Sequence, residues 1–406
     1  MLLRAWESAA AHPVAVVPDQ VGRSHIVVSS HALVRSVLAD PIRFAPDNAL
    51  DALTPIPVAA LRVLASHGFR LPPTLANNGT LTHPATRAIT ARALHPSRVA
   101  LLRPWLTGVV RRRAASLSAS LRSGETVDLY AALTSDLPLL VLARLVDLPA
   151  SGLDVVKEFS RAALELFWAP VSRTRQLELA SIVGAYHAVL RRHAASGSGM
   201  VAELRALGDP DLVVGALFFL LVAGQETTSQ FLTLLLHRLH SEPSVLAGLA
   251  RGTVDVDDVV EEGLRLVPPI TTWRRVSTED TVLGEIAVPR GASVVLWLAE
   301  AGQDPSVFEQ PSSFAPGRAG SRRHLAFGAG AHRCIGAQLS RMEASVVVAE
   351  AAGLLRSASV VRAPWCPDNL SFRMPDSFRI RRPARRSRVD HEPRVGFAGV
   401  SIPQSP

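Results

Sequence analysis

Apolar residues recur at three- and four-residue intervals along much of the chain, the spacing that places them on one face of an α-helix. This periodicity predicts helices around residues 128–148, 151–168 and 174–193. Near the start, residues 25–28 predict a strand and residues 30–38 a helix capped by a serine. Residues 281–298, with Gly284 and Gly291 at turn positions, predict hairpin strands. The sequence therefore predicts a mainly α protein with small β-sheets.

The most apolar stretch runs from Leu212 to Gly224 and resumes as residues 231–236 after a short polar cluster. Its 13 residues are too few to cross a bilayer, which needs roughly 20. We therefore expect one long helix, buried in the core and interrupted by Gln225, Glu226, Thr227 and Thr228. A carboxyl and a hydroxyl in such a helix can pass protons to a buried site. The alternative is that the two threonines bond to carbonyls one turn earlier and only bend the helix.

A glycine-rich loop brings one cysteine to the start of another predicted helix. Residues 327–336 read FGAGAHRCIG, and the helical pattern covers residues 335–344. The glycines permit positive φ angles or close backbone approach to a flat partner. Free N–H groups and the positive end of the helix dipole lower the pKa of a thiol at Cys334, whereas apolar surroundings would raise it. The position suits a metal-binding thiolate, and the alternative is a structural cysteine.

A third motif is the pair Glu262 and Arg265, spaced i, i+3 on a helix predicted to begin near Asp257. An exposed pair of this kind adds only ~0.2–0.5 kcal/mol to a helix. The same spacing occurs in many unrelated proteins, so the pair alone indicates no function. Its value lies in its position upstream of the cysteine loop.

The three motifs, taken in this order, resemble the cytochrome P450 family. Every fixed position of that family's haem–thiolate signature is filled, by Phe327, Gly330, His332, Cys334 and Gly336. The resemblance covers roughly residues 5–380. It implies the cytochrome P450 fold, mainly α with small β-sheets (α+β). In that fold haem b is buried between a long distal helix and a proximal loop, with Cys334 as the ligand of the iron.

The resemblance also assigns further residues to the site. Glu226 and Thr227 match the acid–alcohol pair that relays protons to iron-bound dioxygen, and Ala223 and Gly224 leave room for the oxygen. The cofactor would be held by His83, Arg87, Arg275 and His332 at its propionates, with Arg274 as the alternative to Arg275, and by Phe327, Gly328 and Gly336 around the loop. A buried structural network would join Glu262, Arg265 and Arg318. Gly317 stands where the family commonly has an acid before that arginine.

Composition bounds the domain organisation and the compartment. The chain of 406 residues contains no linker, repeat or low-complexity stretch, so we expect one domain over residues 1–383 and a basic, flexible tail over residues 384–406. Hydrophobic residues make up 48% and charged residues 19%, which is a globular composition. The two cysteines, Cys334 and Cys366, give no disulfide framework, and the start lacks the apolar core of a signal peptide. We expect a cytoplasmic monomer that does not bind a membrane.

The net charge of +8 comes almost entirely from arginine, since Lys157 is the only lysine. The basic tail lacks interleaved aromatic residues and any recognition motif, so we expect no binding to nucleic acid. Arg322, Arg323 and Arg333 flank the cysteine loop, where they would steer an acidic electron donor. The chain shows no flavin- or nicotinamide-binding fingerprint, so electrons are expected from ferredoxin and ferredoxin reductase.

The expected activity is insertion of one oxygen atom from O2 into a C–H or C=C bond, because a thiolate ligand favours O–O cleavage. The expected substrate is a small or mid-sized hydrophobic compound in secondary-metabolite tailoring, with hydroxylation and epoxidation both open. By position, the pocket would include Phe167, Trp168, Phe218, Phe219, Ile270, Thr271 and Phe372. One alternative is a peroxide-driven peroxygenase, a class that usually lacks the acid–alcohol pair. Another is a non-catalytic haem sensor, which would need a signalling module.

Overall fold

The computed structural model describes residues 12–18, 23–70, 73–79, 81–146 and 152–383, so the expected tail at residues 384–406 lies outside the described residues. The helices are α1 His31–Ala39, α2 Val58–Ser66, α3 His83–Ala93, α4 Pro96–Arg122, α5 Leu137–Leu145, α6 Leu153–Trp168, α7 Arg173–Ser196, α8 Met200–Arg205, α9 Pro210–Ala223, α10 Glu226–His240, α11 Pro243–Arg251, α12 Val256–Leu266, α13 Leu298–Ala301 and α14 Ala337–Ala351. The strands are β1 Val14–Pro18, β2 Ser24–Val28, β3 Phe44–Ala45, β4 Thr126–Asp128, β5 Thr272–Ser277, β6 Thr281–Leu283, β7 Ile286–Val288, β8 Ser293–Trp297, β9 Ser359–Arg362 and β10 Arg379–Arg381. The mainly α architecture with small sheets is confirmed.

Long helices form the main hydrophobic core. α4 packs against α14, and α10 contacts α5, α12 and α14. Above them, α7 packs against α2, α6 and α9. Leu106, Leu232 and Val347 are among the completely buried residues of this core, and each such side chain stabilises the fold by roughly 1.5–3 kcal/mol. The three helices predicted from periodicity correspond to α6, to α7 and, for residues 128–148, to a π-helix at Tyr130–Thr134 followed by α5.

The most apolar stretch forms two helices, not the single helix that the sequence predicts. α9 ends at Ala223 and α10 begins at Glu226, because Gln225 leaves helical geometry with φ −127° and ψ −39°. As a whole, Pro210–His240 is long and apolar enough to cross a membrane, but 78% of its most apolar window is buried inside the protein. The stretch is therefore the centre of the helical core, with an irregular turn at Gly224 and Gln225.

The largest sheet has five strands in the order β1-β2-β8-β5-β3. β2 and β8 are parallel, and the other neighbours are antiparallel. The predicted strand at residues 25–28 is confirmed as β2, and the predicted hairpin is β6–β7, while β8 joins the larger sheet. Side chains alternate between the two faces of a strand. In β5 this places Trp273 and Arg275 on one face and Arg274 on the other.

The start of α1 differs from the prediction in its cap. The Ser30 side chain makes no capping hydrogen bond. The carboxylate of Asp304 instead accepts the backbone N–H of His31 at 2.8 Å. The ring of His31 also bonds to the backbone carbonyl of Arg323 at 2.9 Å. Asp304, which is distant in sequence, therefore caps α1 in place of Ser30. Together with the bond from His31 to Arg323, this cap attaches α1 to the segment that leads into the cysteine loop.

Candidate active site

A cavity lies where the turn between α9 and α10 faces the cysteine loop. It encloses about 1320 Å³ of space between atoms, a volume that includes space open to solvent. Its walls include Ala76, Arg87, Leu142, Phe219, Leu220, Ala223, Gly224, Thr227, Thr228, Ile270, Trp273, Arg275, Phe327, Gly328, His332, Cys334 and Gly336. The cavity is mainly apolar.

The cysteine loop presents the Cys334 thiol to this cavity. The Cys334 N–H bonds to the Phe327 carbonyl at 2.9 Å, which closes the loop before α14 begins. Gly330 has a φ of +69°, and a Cβ there would lie only 2.4 Å from the Leu38 carbonyl oxygen, so no larger residue fits. Cys334 is exposed at the cavity but lies deep in the protein. Burial raises the pKa of its thiol, and the Gly336 N–H offsets part of this effect.

Cationic side chains surround one edge of the cavity. Arg87, Arg275 and His332 line it, whereas His83 does not and instead places its ring 4.1 Å from the His332 ring. Burial, followed by the neighbouring His83 and Arg275, lowers the pKa of His332 to about 4. Burial also lowers the pKa of Arg275 to about 10. None of these four forms an ion pair with a carboxylate in the described part of the chain.

This cation set fits a ligand that carries its own carboxylates. A buried charge without a partner is costly, and both Arg275 Nε and His83 Nε2 are buried without a hydrogen-bond acceptor among the described residues. Haem has two propionates, and the cysteine thiol facing the same cavity supplies an iron ligand. The residues therefore fit haem. Of the two arginines that the sequence left as alternatives, Arg275 lines the cavity, while Arg274 bonds to the carbonyls of Ala49 and Asp51.

The predicted network of Glu262, Arg265 and Arg318 is assembled behind the cavity. Glu262 and Arg265 are completely buried and form two hydrogen bonds, of 2.7 and 2.9 Å. Arg318 Nε approaches the same carboxylate at 3.3 Å. The remaining N–H groups of Arg265 reach the carbonyls of Gly302, Pro311 and Ser313, so every donor of the guanidinium is used. The network joins α12 to the segment that leads into the cysteine loop.

A second carboxylate, which the sequence reading missed, supports the same loop. Glu261 bonds to His324 at 3.1 Å and to Arg341 at 2.5 Å. The Arg341 guanidinium also lies over the Phe327 ring, 4.6 Å from its centroid. Burial would raise the pKa of Glu261, but the bonds from His324 and Arg341 outweigh it and hold this pKa at about 2. Adjacent glutamates on α12 therefore anchor different segments around the loop.

The predicted acid–alcohol pair has its members on different sides of α10. Thr227 lines the cavity, and its hydroxyl donates to the Ala223 carbonyl at 2.7 Å. Glu226 is completely buried and points toward α6, where its carboxylate lies 2.7 Å from Lys157 Nζ and 3.7 Å from Arg161 Nη1. Burial lowers the pKa of Lys157, and the neighbouring Glu226 partly restores it. The bond to Ala223 is the one expected if Thr227 only bends the helix. The same side chain nevertheless lines the cavity.

Lys157 and Arg161 are site residues that the sequence reading did not assign. Lys157 Nζ also reaches Gln225 Oε1 at 3.1 Å and Ser229 Oγ at 3.2 Å. Arg161 donates to the Tyr130 hydroxyl at 2.8 Å. The available signal was that the only lysine of the chain lies on the apolar side of a periodic helix. The pairing itself joins residues far apart in sequence and follows only from the fold.

Only two of the seven predicted pocket residues line the cavity, Phe219 and Ile270. The prediction was wrong for Phe167, Trp168, Phe218, Thr271 and Phe372. The aromatic members pack against one another instead, as in the 5.0 Å contact between the Trp168 and Phe372 rings. Thr271 is buried against the backbone of residues 370–371. Trp273 lines the cavity in their place, with its ring stacked on Trp168 at 6.3 Å.

Comparisons with known proteins agree with this geometry. Residues 256–351 match the family model described as Cytochrome P450. The chain is 32% identical over 380 residues to cytochrome P-450 monooxygenase DoxA of Streptomyces sp. (strain C5), covering 86% of this chain and 84% of the relative. It is 27% identical to erythromycin C-12 hydroxylase of Saccharopolyspora erythraea, with 82% of each chain covered.

The fold also matches solved structures. Cytochrome P450 CREJ, in complex with (4-ethylphenyl) dihydrogen phosphate, superposes with a TM-score of 0.84 at 26% sequence identity. The match covers 91% of this chain and 94% of that structure.

Proposed function

This chain belongs to the cytochrome P450 family and is a monooxygenase that binds haem b, and from this premise we propose that it oxidises a small, largely apolar metabolite with electrons from a ferredoxin. The observation that carries the proposal is that Cys334 and Thr227 face one mainly apolar cavity, with uncompensated cations at its edge. The hydroxyl that can supply protons and the thiol that can bind a metal therefore face the same space.

Cys334 would be the ligand of the iron of haem b in this cavity, and a thiolate ligand supplies electron density that favours O–O cleavage. Arg87, Arg275 and His332 would bind the propionates, because these basic side chains line the cavity. His83 would hold the His332 ring in position, because the two rings lie against each other. Phe327, Gly328 and Gly336 would bound the loop side of the cofactor, and Ala223 and Gly224 would keep the opposite side open.

Protons would reach the cavity through α10. The Glu226 carboxylate lies on the side of α10 that faces α6. There it is bonded to Lys157 and lies near the partly exposed Arg161. Rotation away from Lys157 would bring the carboxyl toward the Thr227 hydroxyl. Thr227 can accept a proton from that side and donate one into the cavity. Each proton that Glu226 passes on would first be taken up by its carboxylate by way of the polar groups around Arg161.

An apolar metabolite suits the walls of the cavity. The apolar lining includes Ala76, Phe219, Leu220, Ile270 and Trp273. One relative is named for the hydroxylation of erythromycin and another is named a monooxygenase from Streptomyces. These names support a role in tailoring a secondary metabolite, by hydroxylation or epoxidation. We place the enzyme in the cytoplasm as a monomer.

A ferredoxin is proposed as the electron donor because exposed arginines surround the cysteine loop. Arg322 and Arg333 are both exposed there, and they would attract an acidic partner. In a system reconstituted with ferredoxin and its reductase, Arg322→Glu should lower the rate of haem reduction about tenfold at low salt, because charge steering controls encounter. The loss should shrink as salt screens the charges.

The control for this experiment is Arg122→Glu, which makes the same charge change at an exposed position at the end of α4. It should leave the reduction rate within about twofold, because Arg122 lies at the end of α4, outside the cysteine loop, and charge effects weaken with distance. Equal losses in both variants, or a loss that salt does not change, would remove the proposed docking face. Substrate oxidation that proceeds equally well without ferredoxin and with peroxide alone would contradict the proposed electron route.

A further inference from the structure

Three aromatic rings packed against one another support one wall of the cavity, and we call Trp168, Trp273 and Phe372 the aromatic clamp. The Trp273 ring lies 6.3 Å from the Trp168 ring, with an angle of 24° between their planes. The Phe372 ring meets both of them edge-on, at 5.0 Å from Trp168 and 6.1 Å from Trp273. Trp168 and Phe372 are 1% and 2% exposed, whereas Trp273 is half-buried and lines the cavity. Within the clamp, the Trp273 indole is therefore the ring that can meet a molecule in the cavity.

Backbone hydrogen bonds fix the position of the Trp273 indole. Trp273 lies in β5, and the pairing of this strand with β8 includes it. Two residues earlier, the Thr271 N–H donates to the Ser371 carbonyl at 2.7 Å. The Leu370 N–H donates in turn to the Trp168 carbonyl at 2.8 Å. The segments that carry the three rings are therefore joined by their backbones, and the indole forms a rigid, flat part of the wall.

A rigid indole favours an aromatic ligand over a saturated ligand of the same size. Two aromatic rings in offset-stacked or edge-to-face contact bind about threefold to tenfold more tightly than the buried area alone explains. A saturated ring gains only from the burial of its apolar surface. Because the clamp holds the indole in place before a ligand arrives, packing a ring against it costs little conformational entropy.

We propose that Trp273 determines the substrate class of this enzyme by packing against a planar aromatic ring of the substrate. The contact would be made by the part of the indole that Trp168 and Phe372 leave uncovered. The inference rests on the proposed function, because it takes the cavity to be the substrate pocket. It narrows the substrate from apolar metabolites in general to those that carry an aromatic ring.

Contact with the cofactor is the competing role for Trp273. The indole lies on the same face of β5 as Arg275, which is proposed to bind a haem propionate. Its N–H could donate to that carboxylate. A role of this kind, or simple filling of the core, would not distinguish an aromatic ligand from a saturated one. A pair of ligands that share one carbon skeleton therefore separates the roles.

Calorimetric titration of the haem-loaded protein with 2-naphthol and with decahydro-2-naphthol makes this comparison, because both alcohols have the same skeleton and the same hydroxyl group. The measured quantity is the Kd of the saturated alcohol divided by the Kd of the aromatic one. Trp273→Leu should lower this ratio about threefold to tenfold, since it removes the ring contact. Trp273→Ile, whose side chain suits a strand, should lower it equally. Trp273→Phe keeps a ring and should retain most of the preference.

The matched control is Trp365→Leu, which makes the same change at a tryptophan that is 61% exposed and does not line the cavity. It should leave the ratio within about 1.5-fold of the wild type. A decrease below about twofold in Trp273→Leu and Trp273→Ile, or an equal decrease in Trp365→Leu, would overturn the proposal. No measurable binding of either alcohol to the wild type would also overturn it. Calorimetry does not depend on the iron ligand, so failure here is separate from failure of the proposed function, which the spectrum of the carbonyl complex tests.

Discussion

Arg265→Met is expected to lower the free energy of unfolding by about 3–5 kcal/mol, because it leaves a buried carboxylate without its main partner. Arg265 and Glu262 are both completely buried, and the guanidinium uses all its donors on Glu262 and three carbonyls. The neutral side chain would remove five hydrogen bonds, and Glu262 would keep only the Ala315 N–H and Arg318 as donors. Arg318, at 3.3 Å from Glu262, can compensate only in part. Urea unfolding followed by circular dichroism measures the change.

The matched control is Arg92→Met, which breaks an ion pair whose side chains are 61% and 53% exposed. Solvent weakens such a pair, so this variant should lie within about 1 kcal/mol of the wild type. Arg265→Lys should fall between the two, because it retains the charge and loses the two-pronged bond to the carboxylate. An unfolding free energy for Arg265→Met within about 1 kcal/mol of the wild type would show that the network does not hold the fold.

Thr227→Ala is expected to reduce the product formed per electron consumed by as much as about 10²-fold, the usual contribution of a positioned proton donor. The Thr227 hydroxyl lines the cavity in front of Glu226, so its loss interrupts the only relay proposed. Thr227→Ser keeps a hydroxyl and should recover most of the yield. The measurement compares product with electron consumption in the reconstituted system.

Thr233→Ala tests whether the effect comes from helix geometry instead. Thr233 lies on the same helix and also donates to a carbonyl one turn earlier, at 2.9 Å from Ser229, but it faces Thr134 and lies away from the cavity. Its replacement should leave the yield per electron within about twofold. A loss of yield as large as that of Thr227→Ala, or an unchanged yield in Thr227→Ala itself, would rule out the relay.

Local sequence features predict those parts of the site that local chemistry determines. The glycines around Cys334 and the i, i+3 spacing of Glu262 and Arg265 are visible in the sequence, and in the structure Gly330 has a positive φ and Glu262 bonds to Arg265. The choice between Arg274 and Arg275 needs the register of β5, because alternation alone does not say which face meets the cavity. The fold supplies that information.

Other features depend on contacts between distant segments. Hydrophobicity cannot distinguish a wall of the cavity from the interior of a core, so Phe167 and Phe372 were misplaced while Trp273 was overlooked. The bond between Lys157 and Glu226 joins α6 to α10. The irregular turn at Gln225 was missed because apolar composition continues on both sides of it. In each case the position of the side chain depends on which distant segments pack together.

The ferrous carbonyl spectrum tests the central claim, that Cys334 is the thiolate ligand of haem iron. The wild-type protein, reduced and exposed to carbon monoxide, should show the strongly red-shifted Soret band of a thiolate-ligated haem. Cys334→His should bind haem and lack that band, while Cys366→Ser, which changes the only other cysteine, should retain it. A red-shifted band that persists in Cys334→His, or that is absent from the wild type, would contradict the assignment of Cys334.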